Sequence, residues 1–244
     1  MSGQDSFDRI PTGLQFFDSK QDYTIAWKRL PHWAQAGTVA FITWRTADSL
    51  PREALVRLSR QRHQILKQHQ IDPEGDWKHS LSQLPPVERG NLQWLLFTAW
   101  DEQLDAAAGA CVLREPALSE IVMDSLLHFD SDRYVLTDAV VMPNHVHLLV
   151  AFREEDSLMT QCTSRKHFTA TKINKWLREN LAANEGEASG SFWQVEQFDH
   201  LVRSIEEYDK YRRYIAENPE KAHLKLGSFR YYRRPTEEIG SNAN

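Results

Sequence analysis

The stretch RYVLTDAVVMPNHVHLLVAF, residues 133–152, decides the fold. Both halves are apolar and β-branched, with Pro143 and Asn144 between them. That pattern predicts two strands, 133–142 and 145–152, joined as a hairpin. Residues two apart in a strand share a face. His145, His147 and Leu149 therefore point one way, and Val146, Leu148, Val150 and Phe152 the other. The apolar set suits a core. The two imidazoles are aimed together at whatever covers the opposite face, and such a pair fixes two metal-coordination positions in advance. The same pair would also serve as two locally hydrogen-bonded histidines. A third ligand and a reacting group are needed to make a site.

Outward from the hairpin, GTVAFITWRT (37–46) reads as an earlier strand, and residues 1–36, punctuated by Pro11, Gly13 and Pro31, read as irregular. Helical spacing runs over 51–71 and 87–105, with DPEG (72–75) as a turn. Pro116 opens a helix to Phe129 whose stripe is Leu118, Ile121, Val122, Leu126 and Leu127. On the other side, Thr163–Asn180 is an amphipathic helix, NEGEASGS (184–191) a loop and FWQVEQF (192–198) a short strand. Ser204–Asn218 is a helix opening on a capping box, Ser204 to Glu207, with Pro219 past its end. This order predicts an α+β protein, a ferredoxin-like antiparallel sheet with helices packed on it. The expected domain runs over 37–227. A mostly helical insertion occupies about 47–115, and 228–244 form a basic then polar tail.

The last helix offers partners for the histidines. Tyr214 and Asn218 are i and i+4, so they stack on one face, while Ile205, Tyr208 and Ile215 fit a core stripe. A phenol and a carboxamide on one face suit one ion.

Net charge is −5, which alone would argue against a polyanion partner. The distribution reverses that reading. Residues 158–178 hold Arg165, Lys166, Lys172, Lys175 and Arg178 without an acid, and 221–234 hold Lys221, Lys225, Arg230, Arg233 and Arg234 without one. Local patches steer a phosphate backbone. Arg165, Lys172 and Lys175 recur along one side of a helix. Arg230, Arg233 and Arg234 interleave with Tyr231 and Tyr232, as phosphate contact and base stacking require. Cys111 and Cys162 form no CxxC pair, which argues against a zinc ribbon and suits a reducing cytoplasm. No apolar window is long enough for a membrane span.

Together these pieces resemble a known family. MPNHVHLLV resembles the HUH motif of single-tyrosine transposases of the insertion-sequence type, and the chain resembles most the REP-associated tyrosine transposases. AFITWRTADSLP, RYVLTDAVVMPNHVHLLV, SRKHFTATKIN, FWQVEQFDHLVRS and YIAENPEKAHL match in order, over most of 37–227. The chain departs from the compact family pattern between about 47 and 115, and GSFRYYRRPTEEIG carries no family signature. The resemblance implies His145, His147 and Asn218 as metal ligands and Tyr214 as nucleophile, with Tyr208 and Tyr211 as rivals. Asp199 and His200 take a supporting place, structural or catalytic. The implied cofactor is Mg²⁺ or Mn²⁺, imidazole tilting the preference to Mn²⁺. The implied partner is single-stranded or hairpin-forming repeat DNA, handled by a monomer or homodimer through a 5′-phosphotyrosine intermediate. A repeat-binding protein without cleavage, or a small-molecule metalloenzyme using the histidine pair, are the competing expectations.

Overall fold

A computed structural model describes residues 14–27, 31–105, 109–154, 157–180 and 191–235. Along the chain run β1 (Thr24–Trp27), β2 (Pro31–Ala34), β3 (Val39–Arg45), α1 (Arg52–Gln68), α2 (Trp77–Gln83), α3 (Pro86–Asp105), α4 (Pro116–Leu127), β4 (Tyr134–Val141), β5 (His145–Phe152), α5 (Ser157–Asn180), β6 (Phe198–Leu201), α6 (Ile205–Lys221) and β7 (Arg230–Arg233). The chain divides into two compact units, residues 1–47 with 112–244, and Asp48–Cys111.

In the first unit, period-2 alternation makes an antiparallel sheet of order β6-β3-β5-β4-β7. Its β3, α4, β4, β5, α5, β6 sequence is the ferredoxin-like arrangement, with β7 added at one edge. The α+β class and the helical insertion after β3 are those the sequence predicts. One face carries Ala40, Ile42, Trp44, Val146, Leu148 and Val150 and packs with Leu118, Val122 and Leu126 of α4 and Leu158, Cys162 and Ile173 of α5. The other face carries Phe41, Thr43, His145, His147 and Leu149, since Thr43 pairs with His147 and Phe41 with Leu149.

A register shift between Leu136 and Asp138 interrupts β4. Leu136 pairs with Val150 on the apolar face, whereas Asp138 pairs with Leu149 on the opposite one. Without that extra residue Asp138 would point among the apolar side chains.

Several expectations need correction. The segment before residue 37 is not wholly irregular, because β1 and β2 form a two-stranded antiparallel ribbon. The tail begins with a strand, β7, which pairs with β4, with Tyr232 packed against the core and Arg233 paired with Asp138 on the sheet. In FWQVEQF only Trp193 makes an isolated bridge, to Thr46, and the strand is Phe198–Leu201. Pro219 lies inside α6 rather than beyond it. Residues 1–13, 184–190 and 236–244, where parts of the N-terminal, loop and tail expectations fall, lie outside the described residues.

The second unit has its own core of Leu66, Ile71, Leu81 and Leu92, with Ile65, Trp77, Leu84 and Leu96 against it. Helix α2, not foreseen from the sequence, starts where the Asp76 side chain accepts from the His79 backbone N–H at 3.1 Å. The unit's ends meet where Asp48 Oδ2 accepts from the Ala110 N–H at 2.7 Å. Gly109 there has φ +89°, and a Cβ would lie 2.8 Å from the Asp48 carbonyl oxygen, so only glycine fits.

Candidate metal and nucleophile site

Strand alternation delivers His145 and His147 side by side, both fully buried, with ring centroids 4.6 Å apart. Their Nδ1 atoms are anchored. His145 Nδ1 meets Asn144 Oδ1 at 2.7 Å and His147 Nδ1 meets Thr43 Oγ1 at 2.7 Å. An amide oxygen only accepts, so His145 donates from Nδ1 and carries its lone pair on Nε2. Burial pushes His145 down to about 3, with the nearby Asn218 opposing, and it pushes His147 well below the ordinary value, helped by His145. Both rings are neutral imidazoles, the form that ligates a metal.

Helix α6 covers this face of the sheet. Ser204 Oγ accepts from the Glu207 N–H at 3.3 Å and fixes the helix start. The Glu207 carboxylate reaches back to the Arg203 N–H at 2.6 Å and to His200 Nε2 at 2.8 Å. Farther along, Arg212 Nε donates to Asp138 Oδ2 at 3.1 Å, and Arg233 Nε donates to Asp138 Oδ1 at 2.9 Å. Asp138 is fully buried, so removing either cation would strand part of its charge, at a cost of about 3–5 kcal/mol. Sheet and helix are thus tied two residues before Tyr214.

With the helix so fixed, the Tyr214 ring lies edge-on to His147, centroids 5.4 Å apart, and edge-on to Phe41 at 6.0 Å. Lys221 Nζ sits 5.4 Å from the Tyr214 ring centroid. One turn on, Asn218 is fully buried, and neither atom of its carboxamide makes a hydrogen bond of good geometry among the described residues. It lies close enough to His145 to favour the protonated ring. His145, His147, Tyr214 and Asn218 meet within one chain. A buried carboxamide with unfilled bonding capacity beside two neutral imidazoles is a donor set that fits a divalent cation.

No protein-family model and no curated protein matches this chain. A solved structure described as a REP-associated tyrosine transposase bound to a REP hairpin is similar over 80% of this chain and 74% of that one, with 13% identity and a TM-score of 0.41. So distant a likeness fixes no residue role.

The rival tyrosines are packed away. Tyr211 stacks on Phe41 at 4.2 Å, and burial pushes its phenol well above 10. Tyr208 is 1% exposed. Asp199 and His200 hold elements together. Asp199 pairs closely with His32 of β2, and His200 binds Glu207 of α6.

The basic residues divide. Arg165 is 7% exposed, its guanidinium over the Phe129 ring and bonded to the Ser125 carbonyl. Lys166 is 9% exposed and donates to the carbonyls of Gln194 and Val195. Both are buried and make hydrogen bonds within the fold. Arg233 serves Asp138, and Arg234 pairs closely with Asp130. Lys172 and Lys175 are exposed on α5, and Arg230 is partly exposed on β7.

Sequence reasoning missed Arg45, which stands opposite His145 across the β3–β5 pair and so shares its face. Burial lowers its guanidinium to about 10. Its parity with Thr43 was a readable signal, but the strand register that sets it beside His145 was not. It also missed His32, whose only signal was a histidine in a segment read as irregular.

Proposed function

We propose that the chain is a metal-dependent single-stranded DNA endonuclease and strand transferase acting on hairpin-forming repeat DNA. The observation that carries this reading is the 5.4 Å approach of the Tyr214 ring to His147, itself beside His145, with Asn218 one turn away. A phenol, two neutral imidazoles and a carboxamide at one point suit phosphodiester chemistry better than they suit a packed core, where Asn218 would demand partners.

Tyr214 Oη is the nucleophile. It bonds to phosphorus as the bond from phosphorus to the 3′ oxygen breaks. The phenol loses its proton, and the departing 3′ oxygen ends as a hydroxyl. The product is a 5′-phosphotyrosine, and a second 3′-hydroxyl can reverse the step on another strand, joining ends without ATP. His145, His147 and Asn218 would hold Mg²⁺ or Mn²⁺, which when bound would supply charge neutralisation at the phosphate. A phenol with a free pKa near 10 is a weak nucleophile, so its placement beside the proposed ion matters. Arg45, on the same face as His145, would contact a phosphate oxygen in this reading. Lys172 and Lys175, exposed on α5, and the partly exposed Arg230 are among the cations that would meet a DNA backbone.

The test is incubation of wild type, Tyr214→Phe and Tyr211→Phe with labelled single-stranded hairpin DNA and Mn²⁺. An SDS-resistant adduct is expected with wild type and Tyr211→Phe, and none with Tyr214→Phe. An adduct that survives Tyr214→Phe moves the nucleophile elsewhere. Tight hairpin binding without an adduct identifies a repeat-binding protein instead.

A further inference from the structure

Charge is segregated within the insertion. Residues Asp48–Cys111 hold seven Lys and Arg against nine Asp and Glu, yet α1 alone carries five of those cations, Arg52, Arg57, Arg60, Arg62 and Lys67, against the single acid Glu53. Arg62 turns inward, with its guanidinium over the Trp77 ring at 5.5 Å. Arg52, Arg57, Arg60 and Lys67 are exposed. None of these four forms a salt bridge among the described residues, and Arg57 reaches only the neutral Gln103 at 3.4 Å. On other helices Lys175 and Lys221 are compensated one turn away, by Glu179 and Glu217. Helix α1 lacks that compensation. Val56, Arg57, Arg60, Gln64 and Lys67 recur at helical spacing, so the cations form one stripe.

A concentrated, unneutralised cationic stripe attracts a polyanion. Two features narrow which one. Ala54 and Leu66 of α1 are packed within their own unit, and the helix's large exposed apolar side chains, Leu55 and Val56, lie about 100° apart around it rather than forming the continuous apolar face that enters a lipid surface. The helix carries no Phe, Tyr or Trp, and single-strand recognition relies on rings for base stacking. What remains is contact with phosphates alone. From Arg57 to Lys67 the helix rises about 15 Å, while one strand of a duplex offers a phosphate about every 3.4 Å.

We propose that the exposed face of α1 docks the phosphate backbone of duplex DNA, such as the stem or flank of a hairpin. The choice of DNA rests on the endonuclease reading, but the measurement does not. Full-length wild type and the Arg57→Ala/Arg60→Ala/Lys67→Ala variant are titrated by fluorescence anisotropy with a blunt duplex, an unstructured single strand of equal length and anionic vesicles, across a salt series. The variant is expected to bind duplex roughly 10-fold to 100-fold more weakly, with the slope of log Kd against log salt reduced by about 2.7. The single strand and vesicles are expected to show little change. An unchanged duplex slope overturns the proposal, as does an equal loss on single strand or a loss confined to vesicles. If the triple variant fails to melt cooperatively, Arg60→Gln and Lys67→Gln decide, each expected to remove about 0.9 from the slope. The wild-type adduct assay is scored separately, so a failed nuclease reading and a failed docking surface give different results.

Discussion

Thr43 illustrates what a single side chain contributes. Its hydroxyl lies 2.7 Å from His147 Nδ1 and holds that ring's orientation without touching the proposed ion. Partners of this kind typically change metal affinity by about 10-fold to 100-fold when removed. Thr43→Val keeps the shape and the β-branch. It is expected to weaken Mn²⁺ binding by that factor while the far-UV circular dichroism stays unchanged, with titration calorimetry as the measurement. Equal affinity in both proteins would show that Thr43 plays no part in ordering the ligand. The histidine pair itself was legible in the sequence, because strand parity alone sets two imidazoles on one face. Thr43 and Arg45 were not legible as partners, since only the β3–β5 register decides which residues they oppose.

Between elements, docking depends on buried polar pairs that no local pattern announces. His32 of β2 holds Asp199 of β6 and reaches Glu196 at 3.3 Å. Burial lowers the ring's pKa, but the hydrogen bonds and charges of Asp199 and Glu196 outweigh it and hold His32 above 6.5. Because the folded value is raised, its stabilising contribution is complete below the unfolded value near 6.5 and is lost as pH rises through the folded value. Urea midpoints are therefore expected to fall as pH climbs through that window, and His32→Gln should remove the dependence. A wild-type midpoint flat across that range would contradict the pairing. The same logic applies to the basic runs. Arg165, Lys166, Arg233 and Arg234 look like a DNA surface in sequence, but the fold places partners against each. A charge run is visible in sequence, whereas its neutralising acid or carbonyl comes from a distant strand or loop.

For the molecule as a whole, two units with separate cores should differ in local stability. The sheet unit buries strands on both faces, whereas the insertion's main cluster has four buried residues, Leu66, Ile71, Leu81 and Leu92. Small cores open at lower free energy. Native-state hydrogen exchange is expected to show α1 and α3 amides exchanging ahead of those in β3 and β5. Gly109→Ala, strained at φ +89°, should deepen that difference without changing β3 or β5. Uniform protection across both units would refute it.

By itself the sequence determined the α+β class, the hairpin, the helical insertion and the shared helix face of Tyr214 and Asn218, because each follows from periodicity, spacing or the order of segments. Tertiary structure alone decided that Asp138 turns away from the apolar core, since that depends on an extra residue in β4 whose effect shows only against β5. It also decided which tyrosine approaches the imidazoles. Tyr211 and Tyr214 are nearly equivalent along the chain, and only the seating of α6 on Phe41 buries one and brings the other to His147. Local spacing is encoded by chain geometry, but convergence between distant segments is set by packing, where every neighbour has a vote.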